Sequence, residues 1–78
     1  MSRLNFQQYT FRIHFSYTDF MQHYTQGIPN VIVLSEQGLS LSIPATKFRP
    51  FISQIGIRGR FRITVSNNKL ESLEQIST

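Results

Sequence analysis

The chain has 78 residues, a formal net charge of +4 and no cysteine. Its length suits one small domain, and the lack of cysteine excludes disulfides, thiol catalysis and cysteine-ligated metals. Apolar residues make up 40% of the chain and include seven Phe and three Tyr. This composition argues against disorder and provides enough aromatic area for a core. We therefore expect a single folded domain over residues 1–78.

Neither a signal peptide nor a membrane span is predicted. The amino-terminal residues lack an apolar segment, and the longest aliphatic run is Val31 to Leu34, whereas a spanning helix needs about 20 apolar residues. We expect a cytoplasmic protein with no membrane partner. The excess of eight Lys+Arg over four Asp+Glu favours an anionic partner through long-range attraction, although a basic protein without such a partner is the simpler alternative.

The first strong pattern predicts a strand that buries one face. Four apolar residues alternate with polar ones up to Ser16, namely Tyr9, Phe11, Ile13 and Phe15, and a two-residue period is typical of a half-buried strand. Leu4 and Phe6 fall on the opposite face. Either the strand starts near Tyr9, or a bulge at Gln7-Gln8 changes the face.

An amphipathic helix is predicted over residues 17–26. Ser16 suits its N-cap, with Asp19 three positions later. Apolar side chains recur at three- and four-residue spacing, at Tyr17, Phe20, Met21 and Tyr24, which is typical of a helix with one buried face. Gly27 and Pro29 suit the end of this helix.

A hairpin follows, with strands over residues 30–35 and 39–43. A three-residue loop, Glu36-Gln37-Gly38, would pair Val33 with Leu41 and Val31 with Ile43, whereas a two-residue loop would pair Leu34 with Leu41. Both registers leave aliphatic side chains on the second face of the hairpin. We therefore predict an interface there, for a partner or a homodimer, formed by Val31, Ile32, Val33 and Leu34.

The next segment is predicted to be a crossover that ends in a turn. Pro44 ends the strand, and residues 45–48 form one helical turn that stops before Pro50. Four apolar residues are predicted to anchor the crossover in the core, namely Phe48, Phe51, Ile52 and Ile55. Gly56 and Gly59 bracket the turn into the next strand.

A second hairpin closes the chain. Residues 59–66 alternate cleanly, and Asn67-Asn68 suits a type I′ turn because Asn tolerates positive φ. In the last segment, a bulge near Ser72 would keep Leu70 and Leu73 on the core face and bring Glu74 opposite Arg62. A short terminal helix is the alternative.

These elements predict an α+β fold in the order β-α-β-β-turn-β-β. The sheet is expected to be mostly antiparallel, with about five strands and one helix packed on it, and to be either open or curled into a partly open barrel. The apolar positions of the strands and the helix then face one common core.

A row of arginines is the strongest functional candidate. Arg58, Arg60 and Arg62 share one strand face about 7 Å apart, at two residues of rise each. Guanidinium groups bind phosphate oxygens bidentately, so this row predicts a nucleic-acid or other anion-binding surface, which further basic residues would extend, namely Arg12, Lys47 and Arg49. Exposed tyrosines or His14 could stack on bases. In the alternative, the arginines pair with Glu71 and Glu74 across the hairpin.

No catalytic or metal site is predicted. His14 and His23 are the only histidines, and neither stands at metal-ligand spacing from carboxylates. The four glycines form no phosphate-binding loop, and Ser16, Asp19 and His14 are too close in sequence for a nucleophile triad. We expect a non-enzymatic protein without a cofactor.

The Arg49-Pro50-Phe51 motif is part of a longer sequence pattern between Pro44 and Phe61. Here that pattern comprises Pro44, Ala45, Phe48, Arg49, Pro50, Phe51, Gly56, Gly59 and Phe61. Together with Tyr24 and Gly27 at the helix end, it resembles a family of short bacterial proteins, domain of unknown function 2835, over nearly the whole chain. Arg58 departs from the family, in which His is expected at this position. The resemblance implies a small stand-alone protein and implies no activity.

Overall fold

The computed structural model describes residues 6–78. In chain order, its elements are β1 (Phe6–Ser16), α1 (Tyr17–Thr25), β2 (Asn30–Leu34), β3 (Ser40–Pro44), a 3-10 helix (Ala45–Phe51), β4 (Gly56–Ser66) and β5 (Lys69–Ser77). The predicted α+β class and the predicted order of elements are confirmed. No helix in this part of the chain is long and apolar enough to cross a membrane.

The strands form two antiparallel sheets rather than the single sheet expected. One has the order β1-β4-β5 and the other consists of β2 and β3. The eleven residues of β1 pair with β4 from Phe6↔Ser66 to Ser16↔Gly56. The β2–β3 hairpin instead packs on this sheet through its buried side chains, and no closed barrel forms among residues 6–78.

The core lies between the two sheets and is centred on phenylalanine rings. Phe11 and Phe61 are cross-strand partners whose rings stack with centroids 5.7 Å apart. The 3-10 helix places Phe48 and Phe51 edge-on against Phe61, at 6.0 and 5.2 Å. Val31, Val33 and Ile43 come from the hairpin, and α1 adds Phe20. The hairpin and both helices therefore cover one face of the three-stranded sheet, which we call the inner face.

Helix α1 confirms the predicted start and end. The backbone N–H of Asp19 donates to the Ser16 hydroxyl at 3.1 Å, so Ser16 is the N-cap. The helix ends at Thr25, and Gly27 has a φ of 77°, the left-handed conformation that favours glycine. In the helix that starts there, the ring of Phe20 packs edge-on against Phe15, with the ring centroids 5.6 Å apart.

The turns predicted for the two hairpins are confirmed. Val33 pairs with Leu41 and Val31 with Ile43, so the three-residue loop is correct and the two-residue alternative is wrong. Asn67 and Asn68 have φ values of 52° and 65°, as a type I′ turn requires.

The last segment is a strand, so the alternative of a terminal helix is wrong. The register of β5 shifts between Thr64↔Ser72 and Val65↔Leu70, which leaves Glu71 as the extra residue of a bulge. Leu73 is then paired with Ile63, and Glu74 lies opposite Arg62 as predicted.

Three local predictions are corrected by the structure. The helical turn continues through Pro50 to Phe51, because the φ of about −65° that the proline ring fixes lies within the 3-10 range. Ile55 is 59% exposed and anchors nothing, since it lies in the turn closed by hydrogen bonds between Ser53 and Gly56. Strand β1 is regular from Phe6 onward, so no bulge changes its face; Leu4 lies outside the described residues.

The two glycines predicted to bracket a turn both lie within β4. Gly56 has a φ of 110°, and a Cβ there would overlap the carbonyl oxygen of Phe15. Gly59 pairs with Ile13, and a Cβ there would be 2.6 Å from the backbone oxygen of Ser77 and 2.5 Å from Nε2 of Gln75. Gly56 thus closes the turn from Ser53 as predicted, whereas Gly59 lies three residues further along the strand. Close approach of neighbouring atoms requires glycine at both positions.

Candidate functional site

The outer face of the three-stranded sheet lies opposite Phe11 and Phe61 and carries most of the predicted site. The register places Arg12 opposite Arg60 and His14 opposite Arg58. Because α1, the 3-10 helix and the β2–β3 hairpin contribute to the core on the inner face, no described element forms a layer over the outer face. Four arginines thus lie on adjacent strands of one uncovered surface, namely Arg12, Arg58, Arg60 and Arg62.

Arg62 has the cross-strand partner that the sequence predicted. Its Nη2 is 3.2 Å from Oε1 of Glu74, and its Nε is 3.4 Å from the same oxygen. The two side chains are 38% and 49% exposed, so this is a surface ion pair of small energetic value. Glu71, the other predicted partner, lies at the bulge and forms no ion pair within residues 6–78.

Arg60 has a partner that the sequence did not reveal. Its Nε and Nη2 donate to the two carboxylate oxygens of Glu36, at 2.9 and 2.7 Å. Glu36 is 24 positions away, in the β2–β3 loop. The loop reaches the edge of β1, where the Glu36 backbone N–H donates to the Thr10 carbonyl at 2.7 Å and the Thr10 hydroxyl donates to Glu36 Oε1 at 2.7 Å.

These contacts determine the charge state of Glu36. The hydrogen bonds from Arg60, and then that from Thr10, lower the pKa of Glu36 from an ordinary 4.5 to about 2. The hydrogen bonding between Arg60 and Glu36 also raises the pKa of Arg60. Glu36 therefore stays ionised well below its ordinary pKa of 4.5 and accepts from two of the three guanidinium nitrogens of Arg60, Nε and Nη2.

A cleft at the other end of the outer face combines the remaining basic side chains. It has a volume of about 380 Å³ and is lined by Arg12, Ile13, His14, Arg58, Gly59 and Thr78. No Asp or Glu side chain is among these residues, and neither arginine forms an ion pair within residues 6–78. We call Arg12, His14 and Arg58 the basic cleft. The cleft can accept a phosphate or carboxylate through two guanidinium groups and an imidazole.

Lys47 and Arg49 do not extend the arginine row. Both are exposed on the 3-10 helix, which packs on the inner face through Phe48 and Phe51. Arg49 lines a groove with residues of α1. The structure therefore divides the predicted basic patch between opposite sides of the molecule.

The aromatic residues are also divided between the two faces. Tyr17 and Tyr24 belong to α1, on the inner-face side, so neither joins the arginine row. The regular register of β1 instead puts Phe6 on the outer face, where it is 56% exposed. Its opposite parity to Tyr9 was the sequence signal for this position.

The four hairpin residues predicted to form an interface point in two directions. Val31 and Val33 are buried in the core, at 5% and 8% exposure, and so are covered within one chain. Ile32 and Leu34 are 66% and 69% exposed. Only the second pair offers apolar surface to a partner.

The histidines do not approach enough carboxylates to form a metal centre. His23 packs edge-on against Phe15, and its Nε2 is 2.8 Å from the carbonyl oxygen of Asn30, which requires a proton on that nitrogen. Among residues 6–78, no group of three His, Asp or Glu side chains could hold a metal ion.

Comparison with known proteins gives a family without an assigned activity. No curated protein and no solved structure matches the chain. The sequence model of a protein family of unknown function, DUF2835, matches residues 7–76. The match spans nearly the whole chain, including the Pro44–Phe61 motif, and the chain belongs to the DUF2835 family.

Proposed function

We propose that this protein is a non-enzymatic binding module that contacts nucleic acid through the outer face of its three-stranded sheet. The observation that carries the proposal is the basic cleft, in which Arg12 and Arg58 come together without an acidic side chain. Arg12 pairs with Arg60, so Arg58 lies diagonally across from Arg12 on the neighbouring strand, and the two like charges repel each other. An anionic ligand would remove this repulsion.

The geometry favours the phosphate backbone as the part of the nucleic acid that is bound. Guanidinium groups hold phosphate oxygens in pairs of parallel hydrogen bonds, and phosphate contacts position a protein without reading sequence. The exposed ring of Phe6 lies on the same face, at the opposite end of β1 from His14. Exposed rings stack on unpaired bases, so a single strand is the preferred form of the ligand.

The salt dependence of binding tests this proposal. Two phosphate contacts to a single strand give a slope of log affinity against log salt of about −1.4, or about a sevenfold loss between 50 and 200 mM salt. Titration of the protein with fluorescent single-stranded and duplex oligonucleotides at these two salt concentrations measures the slope. We expect binding at 50 mM salt, with a single strand bound more tightly than a duplex of equal length.

Two results would reject the proposal. One is the absence of binding at low salt. The other is binding that persists unchanged after Arg58, Arg60 and Arg62 are all replaced by Ser. The arginine side chains of this face are at least partly exposed, so the triple variant is expected to fold. Circular dichroism verifies this before the titration.

A second candidate function is self-association through the β2–β3 hairpin. It is favoured by the exposure of Ile32 and Leu34, which lie beside each other on the second face of the hairpin. Within residues 6–78, β2 and β3 pair only with each other, so each strand has one edge that is not paired with another strand. A homodimer would cover this face by an isologous contact.

Light scattering distinguishes this second candidate. We expect a dimer at about 0.5 mM protein, and a monomer for the variant with Ile32→Ser and Leu34→Ser, since both side chains lie outside the core. If the protein without these substitutions is a monomer at that concentration, the result argues against self-association. The nucleic-acid proposal is unaffected by either outcome.

A further inference from the structure

A groove runs between α1 and the segment that contains the Arg49-Pro50-Phe51 motif. Its deeper part has a volume of about 190 Å³ and is lined by Tyr17, Phe20, Met21, Tyr24, Arg49 and Ile52. An adjoining part of about 510 Å³ shares Tyr17 and Ile52 and continues along Ser53 and Gln54. We call both parts together the helix groove. It lies on the inner-face side, and a third cavity, which shares Ser53 with it and Arg58 with the basic cleft, lies between the two sites.

Arg49 is the one charged side chain among the residues that line the helix groove. Its position is fixed by its neighbours, because Phe48 is fully buried and the ring of Phe51 packs on Phe61. Its guanidinium forms no ion pair and no side-chain hydrogen bond within residues 6–78. A backbone anchored by Phe48 and Phe51 therefore presents an available cation beside an apolar groove.

The walls of the helix groove are aromatic. The rings of Phe20 and Tyr24 stack with centroids 6.2 Å apart and planes at 14°, and Phe20 is only 1% exposed. Tyr17 and Tyr24 are 45% and 39% exposed. Met21 adds a thioether, which packs favourably against aromatic rings. An aromatic ligand would cover these surfaces better than a polar one.

We propose that the helix groove binds a small aromatic carboxylate. The ligand carboxylate accepts hydrogen bonds from the guanidinium of Arg49, and its ring packs between Tyr17 and Tyr24 over the apolar floor. An apolar pocket with few convergent polar groups is the usual form of a small-molecule site, and the single cation selects an anion. This site is separate from the proposed nucleic-acid surface and does not depend on it.

Binding is tested by following backbone amide signals by NMR during titration with 3-phenylpropanoate to about 10 mM. We expect saturable shifts confined to residues 17–24 and 49–54. Affinity should fall at least about tenfold when the ligand is the neutral isostere 3-phenylpropanamide, and likewise when the protein is the variant Arg49→Gln. Each change removes a charge-assisted hydrogen bond. The matched control is Lys47→Gln, which removes an exposed cation of the same 3-10 helix that does not line the groove and should leave the affinity unchanged.

Any one of the following results would overturn the proposal. They are the absence of saturable shifts in the helix groove, equal affinity for the amide and the carboxylate, and an equal loss of affinity in the Arg49→Gln and Lys47→Gln variants. Shifts centred on Arg12 and His14 would likewise contradict it, since they would assign the anion to the basic cleft.

Discussion

The carboxylate of Glu36 binds the guanidinium of Arg60 through two hydrogen bonds, at 2.7 and 2.9 Å. The contact joins the β2–β3 loop to the outer face of the other sheet. The Thr10 hydroxyl donates to the same carboxylate, and the Gln37 side-chain oxygen accepts from the Thr10 backbone N–H at 3.0 Å. The loop thereby covers part of the edge of β1 and neutralises one arginine of the row.

The depressed pKa of Glu36 predicts a pH dependence of stability. Because folding lowers this pKa from 4.5 to about 2, ionised Glu36 favours the folded state. Its contribution is present above pH 4.5 and is lost as the pH falls toward 2. Urea unfolding between pH 3 and 7 should therefore show that the stability advantage of the natural sequence over Glu36→Gln shrinks toward pH 3.

Glu71→Gln is the control for that experiment. Glu71 forms no ion pair within residues 6–78, so its replacement should change stability about equally at all pH values. A difference between the natural sequence and Glu36→Gln that stays constant from pH 3 to 7 would show that the Glu36–Arg60 contact does not form in solution.

Replacement of Glu36 should also strengthen nucleic-acid binding, if the outer face is the binding surface. Glu36→Gln releases Arg60 for a phosphate contact, which steepens the salt slope for a single strand by about 0.7. Fluorescence titration at 50 and 200 mM salt measures both quantities. Glu71→Gln changes the net charge equally without releasing an arginine, so equal gains in the two variants would mean that only net charge matters.

Gly56→Ala should destabilise the fold. The Cβ would overlap the backbone of Phe15, and the residue would be held at a φ of 110°. We expect a loss of about 2–4 kcal/mol in the free energy of unfolding. In Gly38→Ala, φ is 90° but nothing lies within 4 Å of the Cβ, so strain alone should cost about 1–3 kcal/mol. Urea denaturation compares the two variants, and an equal or smaller loss for Gly56→Ala would refute the close approach.

Local patterns in the sequence were sufficient to predict most elements. The alternation in β1, the spacing in α1 and the turn residues Asn67 and Asn68 each depend on neighbours within a few positions. The predicted Arg62–Glu74 contact also depended only on one hairpin and its bulge. Patterns of this kind determine which face of an element is buried.

Contacts between distant segments could not be predicted in the same way. The Glu36–Arg60 pair requires the β2–β3 loop to reach the edge of β1, and no periodicity specifies how one sheet lies on another. For the same reason, the placement of Lys47 and Arg49 could not be predicted. Both were expected to extend the arginine row because they are basic, whereas the 3-10 helix that carries them lies on the inner face. The sequence therefore predicted which strand carries the arginine row and overestimated the extent of the basic surface around it.

The most direct test of the nucleic-acid surface compares two double variants that remove the same charge from opposite sides of the molecule. Arg12→Ser with Arg58→Ser empties the basic cleft, whereas Lys47→Ser with Arg49→Ser removes two cations from the 3-10 helix. We predict that the first variant loses the salt-dependent affinity for a single-stranded oligonucleotide and that the second keeps it. Equal losses of affinity in the two variants would contradict the assignment of binding to the outer face.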